Sequence, residues 1–164
     1  MPEPATILLA DDDENLRRVV EYQLGEAGFA VTTVASGEEA LEVLHGESFR
    51  LLVTDVLMPG MSGLDLLDRV RLLRPDTVVM VVTAHGDVAT AVRAMKLGAF
   101  DFLEKPFTRE RLLVAVRRAL EFVELRDENR QLRAMVQEHG DFENIIGSSS
   151  ALRAVLSDLR RAAA

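Results

Sequence analysis

Five short apolar runs, each followed by an amphipathic helical pattern, constrain this chain more than any other feature. The runs are Thr6–Ala10, Ala30–Val34, Leu51–Asp55, Val78–Thr83 and Phe100–Glu104. Nearly continuous apolar or β-branched residues suit strands buried on both faces. The first helical pattern carries Leu16, Val19, Val20 and Leu24, with Gly28 near its end. Before the second, Ser36 and Glu39 have capping-box spacing; Ala40, Leu41 and Leu44 follow, and Gly46 stops it. The third carries Leu64, Leu67 and Val70 and must end by Arg74, because Pro75 follows. Ala84-His85-Gly86 reads as a loop and Asp87 as an N-cap. The fourth helix then has a narrow stripe of Val88, Ala91, Val92 and Met95, ended by Gly98. Thr108 opens a fifth, with Leu112, Leu113, Val116, Leu120 and Val123 toward the sheet. Strand and helix alternate five times over short connections, which predicts an α/β doubly wound parallel sheet with helices on both faces.

The strand ends carry the chemistry. Leu51–Asp55 closes on a carboxylate, and Pro59-Gly60 and Ser62-Gly63 mark a loop after it. On its own, Asp55 suits a cap of the next helix as well as a site at the carboxyl edge of the sheet. In a parallel sheet, however, Asp11 and Asp12 after the first strand, Asp55, Thr83 at the end of the fourth strand and Lys105 after the fifth all gather at one edge. Acid runs are commonly solvated faces or helix N-termini, and a strand-ending Thr or a single Lys is unremarkable alone. The joint placement argues otherwise, and Lys105 is one of only two lysines beside seventeen arginines. Three close carboxylates repel without a counter-charge. A divalent cation such as Mg²⁺ resolves this, and Lys105 adds a fixed positive charge. Carboxylate, cation and ammonium together support phosphoryl transfer onto a carboxylate oxygen.

The 164 residues allow one domain and an appendage. With 48% hydrophobic and 28% charged residues, wholesale disorder is excluded. A net charge of −8 without a basic cluster argues against nucleic-acid binding by this fragment. No cysteine is present, so disulfides and thiolate metal sites are excluded. Neither a secretory signal at Met1–Thr6 nor a membrane-length apolar run is seen, and a cytoplasmic location with no membrane partner is expected.

The fifth helix does not stop where the sheet should end. Phe122, Leu125, Asn129, Leu132 and Val136 follow in steps of three and four between charged flanks. This spacing reads as a short dimeric coiled coil with Asn129 at a core position that fixes register; a solvated helical linker is the other possibility. Gly140 is expected to break the helix. Beyond it, Leu152, Val155, Leu156 and Leu159 mark one more amphipathic helix in a tail too short to bury its own core.

Residues 5–122 resemble a response-regulator receiver domain of two-component signalling. The resemblance rests on the acidic pair after the first strand, Asp55-Val56-Leu57-Met58-Pro59-Gly60-Met61-Ser62-Gly63, Val82-Thr83-Ala84, and Phe102-Leu103-Glu104-Lys105-Pro106-Phe107. It implies a flavodoxin-like (βα)5 fold of strand order 2-1-3-4-5, with Asp55 as phosphoacceptor. It further implies Mg²⁺ held by Asp12, Asp55 and the Leu57 carbonyl, with Asp11 acting through water. Lys105 would hold the phosphoryl group before a cis peptide to Pro106. Thr83 and Phe102 would be the switch pair, the phosphoryl pulling on Thr83 and the loop Ala84–Asp87; Phe102 lacks the hydroxyl that is often found at its position. Leu57 and His85 stand at positions that tune phosphate lifetime in the family. Phe142–Ala164, with Ile145-Ile146-Gly147-Ser148, resembles the start of the AAA+ ATPase domain of NtrC-like sigma-54-dependent activators, and Glu128-Asn129-Arg130-Gln131-Leu132 resembles their linker. The implied organisation is a receiver at 1–122, a helical coiled-coil linker at 123–140 and a truncated AAA+ start at 141–164. The implied partners are a sensor histidine kinase, a second copy through helix five and the linker, and the AAA+ domain of the full-length protein. No G-x-x-x-x-G-K-[ST] loop or helix-turn-helix is evident, so a phosphorylated signalling domain is expected rather than an enzyme.

Other function classes remain. One is a Mg²⁺-dependent phosphatase turning over an Asp55 phosphate, although such enzymes place an acid where Leu57 stands. Another is a degenerate receiver serving only to dimerise. A flavin module would need a phosphate-cradling loop where four acids follow the first strand.

Overall fold

The computed structural model describes residues 5–84 and 88–140, with side chains as far as residue 137. Five strands alternate with five helices: β1 (Thr6–Ala10), α1 (Glu14–Glu26), β2 (Ala30–Val34), α2 (Gly37–Gly46), β3 (Leu51–Asp55), α3 (Gly63–Leu73), β4 (Val78–Thr83), α4 (Val88–Lys96), β5 (Asp101–Glu104) and α5 (Arg109–Gly140). The strands form one parallel sheet in the order β2-β1-β3-β4-β5. The expected (βα)5 fold and its strand order are therefore present.

The sheet alternates its side chains between two cores. Leu8, Ala10, Leu52, Val79 and Val81 face one side, where α2, α3 and α4 contribute Leu44, Leu67, Val70 and Ala94. Ile7, Leu9, Leu51, Val53, Met80 and Val82 face the other, where α1 and α5 supply Val20, Leu24, Leu112, Val116, Leu120 and Val123. Burial on both faces is why these strands read as unbroken apolar runs rather than alternating ones. Each fully buried Leu contributes roughly 1.5–3 kcal/mol relative to exposure.

Local signals set the helix ends. Asp13 caps α1, its side chain accepting from the Asn15 and Leu16 amides at 2.9 and 3.1 Å. Ser36 caps α2 through the Glu39 amide, whereas the Glu39 carboxylate reaches back to the Ala35 amide rather than that of Ser36. α3 ends at Leu73, as Pro75 requires. Thr108 caps α5, its hydroxyl accepting from the Arg111 amide.

Three details differ from the periodicity. Val19 is 51% exposed, so α1 docks through Val20 and Leu24 with Leu16 half-buried. On α4, Val88, Val92 and Met95 face solvent and only Ala94 is fully buried. Phe100 precedes β5 instead of opening it, and stacks at a tilt on Phe122 with ring centres 5.2 Å apart. α5 continues to Gly140, the limit of the described residues. The Asp87 cap, His85, most of the 84–87 loop and everything read from residues 141–164 lie outside those residues.

Candidate functional site at the carboxyl edge of the sheet

Adjacent parallel strands in register deliver their carboxyl ends together. Ala10 pairs with Thr54 and Asp55 with Val82, so the residues that follow emerge side by side. Carboxylate oxygens of Asp11, Asp12 and Asp55 lie within 4.8 Å of one another. Asp11 and Asp55 are buried and Asp12 is exposed, so the cluster opens to solvent on the Asp12 side. An all-oxygen, acid-rich donor set of this kind fits a hard divalent cation.

Lys105 crosses the cluster. Its Nζ donates to Asp11 Oδ2 and to Asp55 Oδ2, each at 2.7 Å. The peptide joining it to Pro106 is cis, and its amide donates to the Thr83 carbonyl at 2.8 Å. Burial works against the charged ammonium, but the hydrogen bonds to Asp11 and Asp55 outweigh it and hold the Lys105 pKa above its usual value. Asp11 moves the opposite way from an ordinary ion-pair partner. Burial, joined by repulsion from Asp55, raises its pKa against the lowering by Lys105 and the Asp13 amide. The two shifts are compatible because one ammonium is shared between two carboxylates, which leaves Asp11 under-compensated.

The backbone fixes each acid. The Leu57 amide donates to Asp55 Oδ1 at 3.1 Å, while Lys105 holds Oδ2, so both oxygens of Asp55 are oriented. Asp11 Oδ1 accepts from the Asp13 amide at 2.9 Å, and its carbonyl accepts from the Arg17 guanidinium at 2.5 Å. A side chain on Gly63 would strike the Asp55 carbonyl; the missing Cβ lets α3 start against the end of β3.

The residues expected from the sequence fall as follows. Asp11, Asp12, Asp55 and Lys105 come together. Leu57 is joined to Asp55 through its amide, with its side chain 62% exposed. Thr83 is buried at the end of β4, in register with Glu104. Phe102 is half-buried against the α2–α3–α4 core. Of the heptad residues, Phe122, Leu125, Leu132 and Val136 are 46–70% exposed and Asn129 is exposed. Asp13, the third acid of the run, is the α1 cap rather than a member of the cluster. Sequence reading missed Arg17 and Glu38; Glu38 accepts from the Met61 amide at 3.0 Å in the loop after Asp55.

Residues 7–117 match the model for the response regulator receiver domain. The chain belongs to the receiver domain family. Among curated relatives, the chain is 37% identical over 158 residues to the C4-dicarboxylate transport transcriptional regulatory protein DctD of Rhizobium meliloti, covering 96% of this chain and 34% of that protein. It is 36% identical over 155 residues to the DNA-binding transcriptional regulator NtrC of Escherichia coli K12, covering 94% and 32%. The chain thus spans about a third of the length of these relatives. A crystal structure of NtrX from Brucella abortus in complex with ADP superposes with a TM-score of 0.76 at 32% identity, covering 96% of this chain and 34% of that one. A receiver domain protein from Clostridium thermocellum gives 0.70 at 34% identity, covering 74% and 98%.

Proposed function

We propose that this chain is the phosphorylation-operated input of a sigma-54-dependent transcriptional activator in a two-component system, located in the cytoplasm. Asp55 accepts a phosphoryl group from the phosphohistidine of a sensor kinase. One carboxylate oxygen attacks phosphorus, and the O–P bond forms as the P–N bond breaks. The electron pair leaves with the imidazole, which takes up a proton. Asp12, Asp55 and the Leu57 carbonyl would hold Mg²⁺, with Asp11 acting through water, and the bound ion would supply charge neutralisation to the phosphoryl oxygens. Lys105 follows the new charge from the carboxylate to the phosphoryl group. In this chemistry the protein mainly positions groups and balances charge.

The observation that carries the reading is the shared ammonium. Lys105 sits 2.7 Å from both Asp11 and Asp55 inside a three-carboxylate cluster. Such a cluster is costly to assemble, and perturbed groups of this kind concentrate at functional sites. Thr83 and Phe102 pass the signal on by rearranging around the modified Asp55. The receiver occupies residues 1–122 and the linker 123–140. Phe122, Leu125, Asn129, Leu132 and Val136 pair with a second copy, and the state of that pair controls the AAA+ domain begun at 141–164. Support for the activator class comes from relatives matched along nearly the whole chain rather than the receiver alone.

Incubation with acetyl phosphate and Mg²⁺, read by intact mass, tests the chemistry. One phosphoryl group is expected, absent in Asp55→Asn and absent with EDTA. Sedimentation across a concentration series tests the dimer; a monomer throughout, phosphorylated or not, would remove the linker from the mechanism.

A further inference from the structure

We infer that Glu38 is a positioning residue for phosphoryl transfer: its carboxylate fixes the β3–α3 loop whose backbone orients Asp55. The inference rests on Asp55 being the acceptor. Glu38 lies in the first turn of α2, and its Oε1 accepts from the Met61 amide at 3.0 Å, 23 residues along the chain. The loop beneath it is shaped to receive that carboxylate. Gly60 has φ +79°, and a Cβ there would stand 2.7 Å from Glu38 Oε1. Next to it, the α2 N-terminus leaves room for Met61, since a Cβ on Gly37 would meet the Met61 Cβ at 3.0 Å.

The ends of the loop are secured separately. Met58 is buried, and the Gly63 amide donates to the Val56 carbonyl at 2.9 Å. Its apex is packed only in part: Met61 is half-buried against the α2–α3–α4 core, while Pro59 and Gly60 are exposed. An open cleft of about 500 Å³ borders Gly60 and Met61, lined also by Glu38, Asp65, Asp68 and Arg69. The hydrogen bond from the Met61 amide to Glu38 adds a second restraint to this partly packed apex.

This matters at Asp55 because the same loop begins with Leu57, whose amide sets the plane of the Asp55 carboxylate. A misplacement of about 1 Å caused by a distant change can cost about 100-fold. The first turn of a helix suits an acid, and the hydrogen bond from the Met61 amide aims Glu38 at the loop. Its role is through Met61 and Leu57, without contact to the reacting atoms.

The test compares wild type, Glu38→Ala and Glu38→Gln in the full chain. Amide exchange at Met61 and Leu57 is measured in the metal-free protein. Phosphorylation by acetyl phosphate is measured at saturating Mg²⁺ and across a Mg²⁺ series. Glu38→Ala is expected to speed Met61 exchange about tenfold and slow phosphorylation at saturating Mg²⁺ about fivefold, a fraction of the cost of a direct misplacement. Glu38→Gln keeps an acceptor oxygen without the charge and is expected to restore both to within about twofold. Unchanged Met61 exchange in Glu38→Ala, or faster exchange with an unchanged rate, overturns the proposal. So does a Glu38→Gln rate as slow as that of Glu38→Ala, which would assign the effect to charge at a distance. No uptake by the wild type overturns the acceptor reading and the proposal with it, whereas normal uptake with unchanged exchange overturns the Glu38 role alone.

Discussion

Where β1, β3 and β5 end, charge is buried; along α5 beyond Glu124, apolar side chains are exposed. Asp11 and Asp55 are 2 and 7% exposed, and the Lys105 side chain 17%. Leu125, Leu132, Met135 and Val136 are 54–70% exposed. Each region departs from the usual sorting of polar and apolar residues, and such departures are the informative ones. At the sheet edge, the fold accepts desolvated carboxylates, and Lys105 compensates them only in part. On α5, the first half spends its apolar residues on the sheet through Leu112, Val116, Leu120 and Val123, and the second half leaves its own unspent. The comparison separates residues that stabilise the fold from residues held ready for something else.

The contrast is broken most severely at Lys105. Lys105→Met removes the shared counter-charge. Phosphorylation by acetyl phosphate, followed by intact mass, is expected to slow by about 100-fold or more. A rate near wild type would mean that the ammonium only balances charge in the resting protein.

The two halves of α5 are separated next. Leu112→Ala opens a cavity in the α1–α5 core and is expected to cost about 3 kcal/mol in urea unfolding of dilute protein. Leu132→Ala, matched in chemistry, is expected to stay within about 0.5 kcal/mol under the same conditions. Equal costs would show that the exposed half belongs to the folded monomer.

A smaller effect, of opposite sign, is expected at Asp11. Burial raises its pKa, so its carboxylate weakens folding at neutral pH. Asp11→Asn in EDTA is expected to raise Tm by about 2–4 °C by calorimetry, roughly 1 kcal/mol. A lowered Tm would mean that the Lys105 pair outweighs desolvation.

The smallest effect belongs to a surface acid. The Ser62 hydroxyl, which donates to Asp65 Oδ2 at 2.6 Å, holds the Asp65 pKa below its ordinary 3.8. A depressed carboxylate contributes stability above its unfolded value and loses it as pH falls through the folded one. The small stability gap between wild type and Asp65→Asn, with wild type the more stable, should therefore close as pH drops below about 4; the Asp11 gap has the opposite sign. A gap that widens with acid would reverse the assignment.

Much of this was legible in the chain. Double-sided burial writes itself as unbroken runs such as Val78–Thr83, and parallel topology then brings the strand ends together, so Asp11, Asp12, Asp55 and Lys105 were found without coordinates. Four consecutive acids do not reveal which one caps a helix, and Asp13 proved to be the cap. Helical spacing shows that a stripe exists but not where it points: Val88, Val92 and Met95 turned out to face solvent. Phe102 could be assigned a place on β5 but not its half-burial. Glu38 carried no signal, because its partner is a backbone amide 23 residues away, and backbone partners have no residue type to recognise.

The central claim is that Asp55 itself becomes an acyl phosphate. Borohydride reduction of the phosphorylated chain, followed by peptide mass spectrometry, tests this most directly, since hydride converts an aspartyl phosphate to homoserine. Homoserine at position 55 alone, dependent on Mg²⁺, is the expected result. Homoserine at position 11 or 12, or a stable phosphate that borohydride leaves untouched, would contradict it.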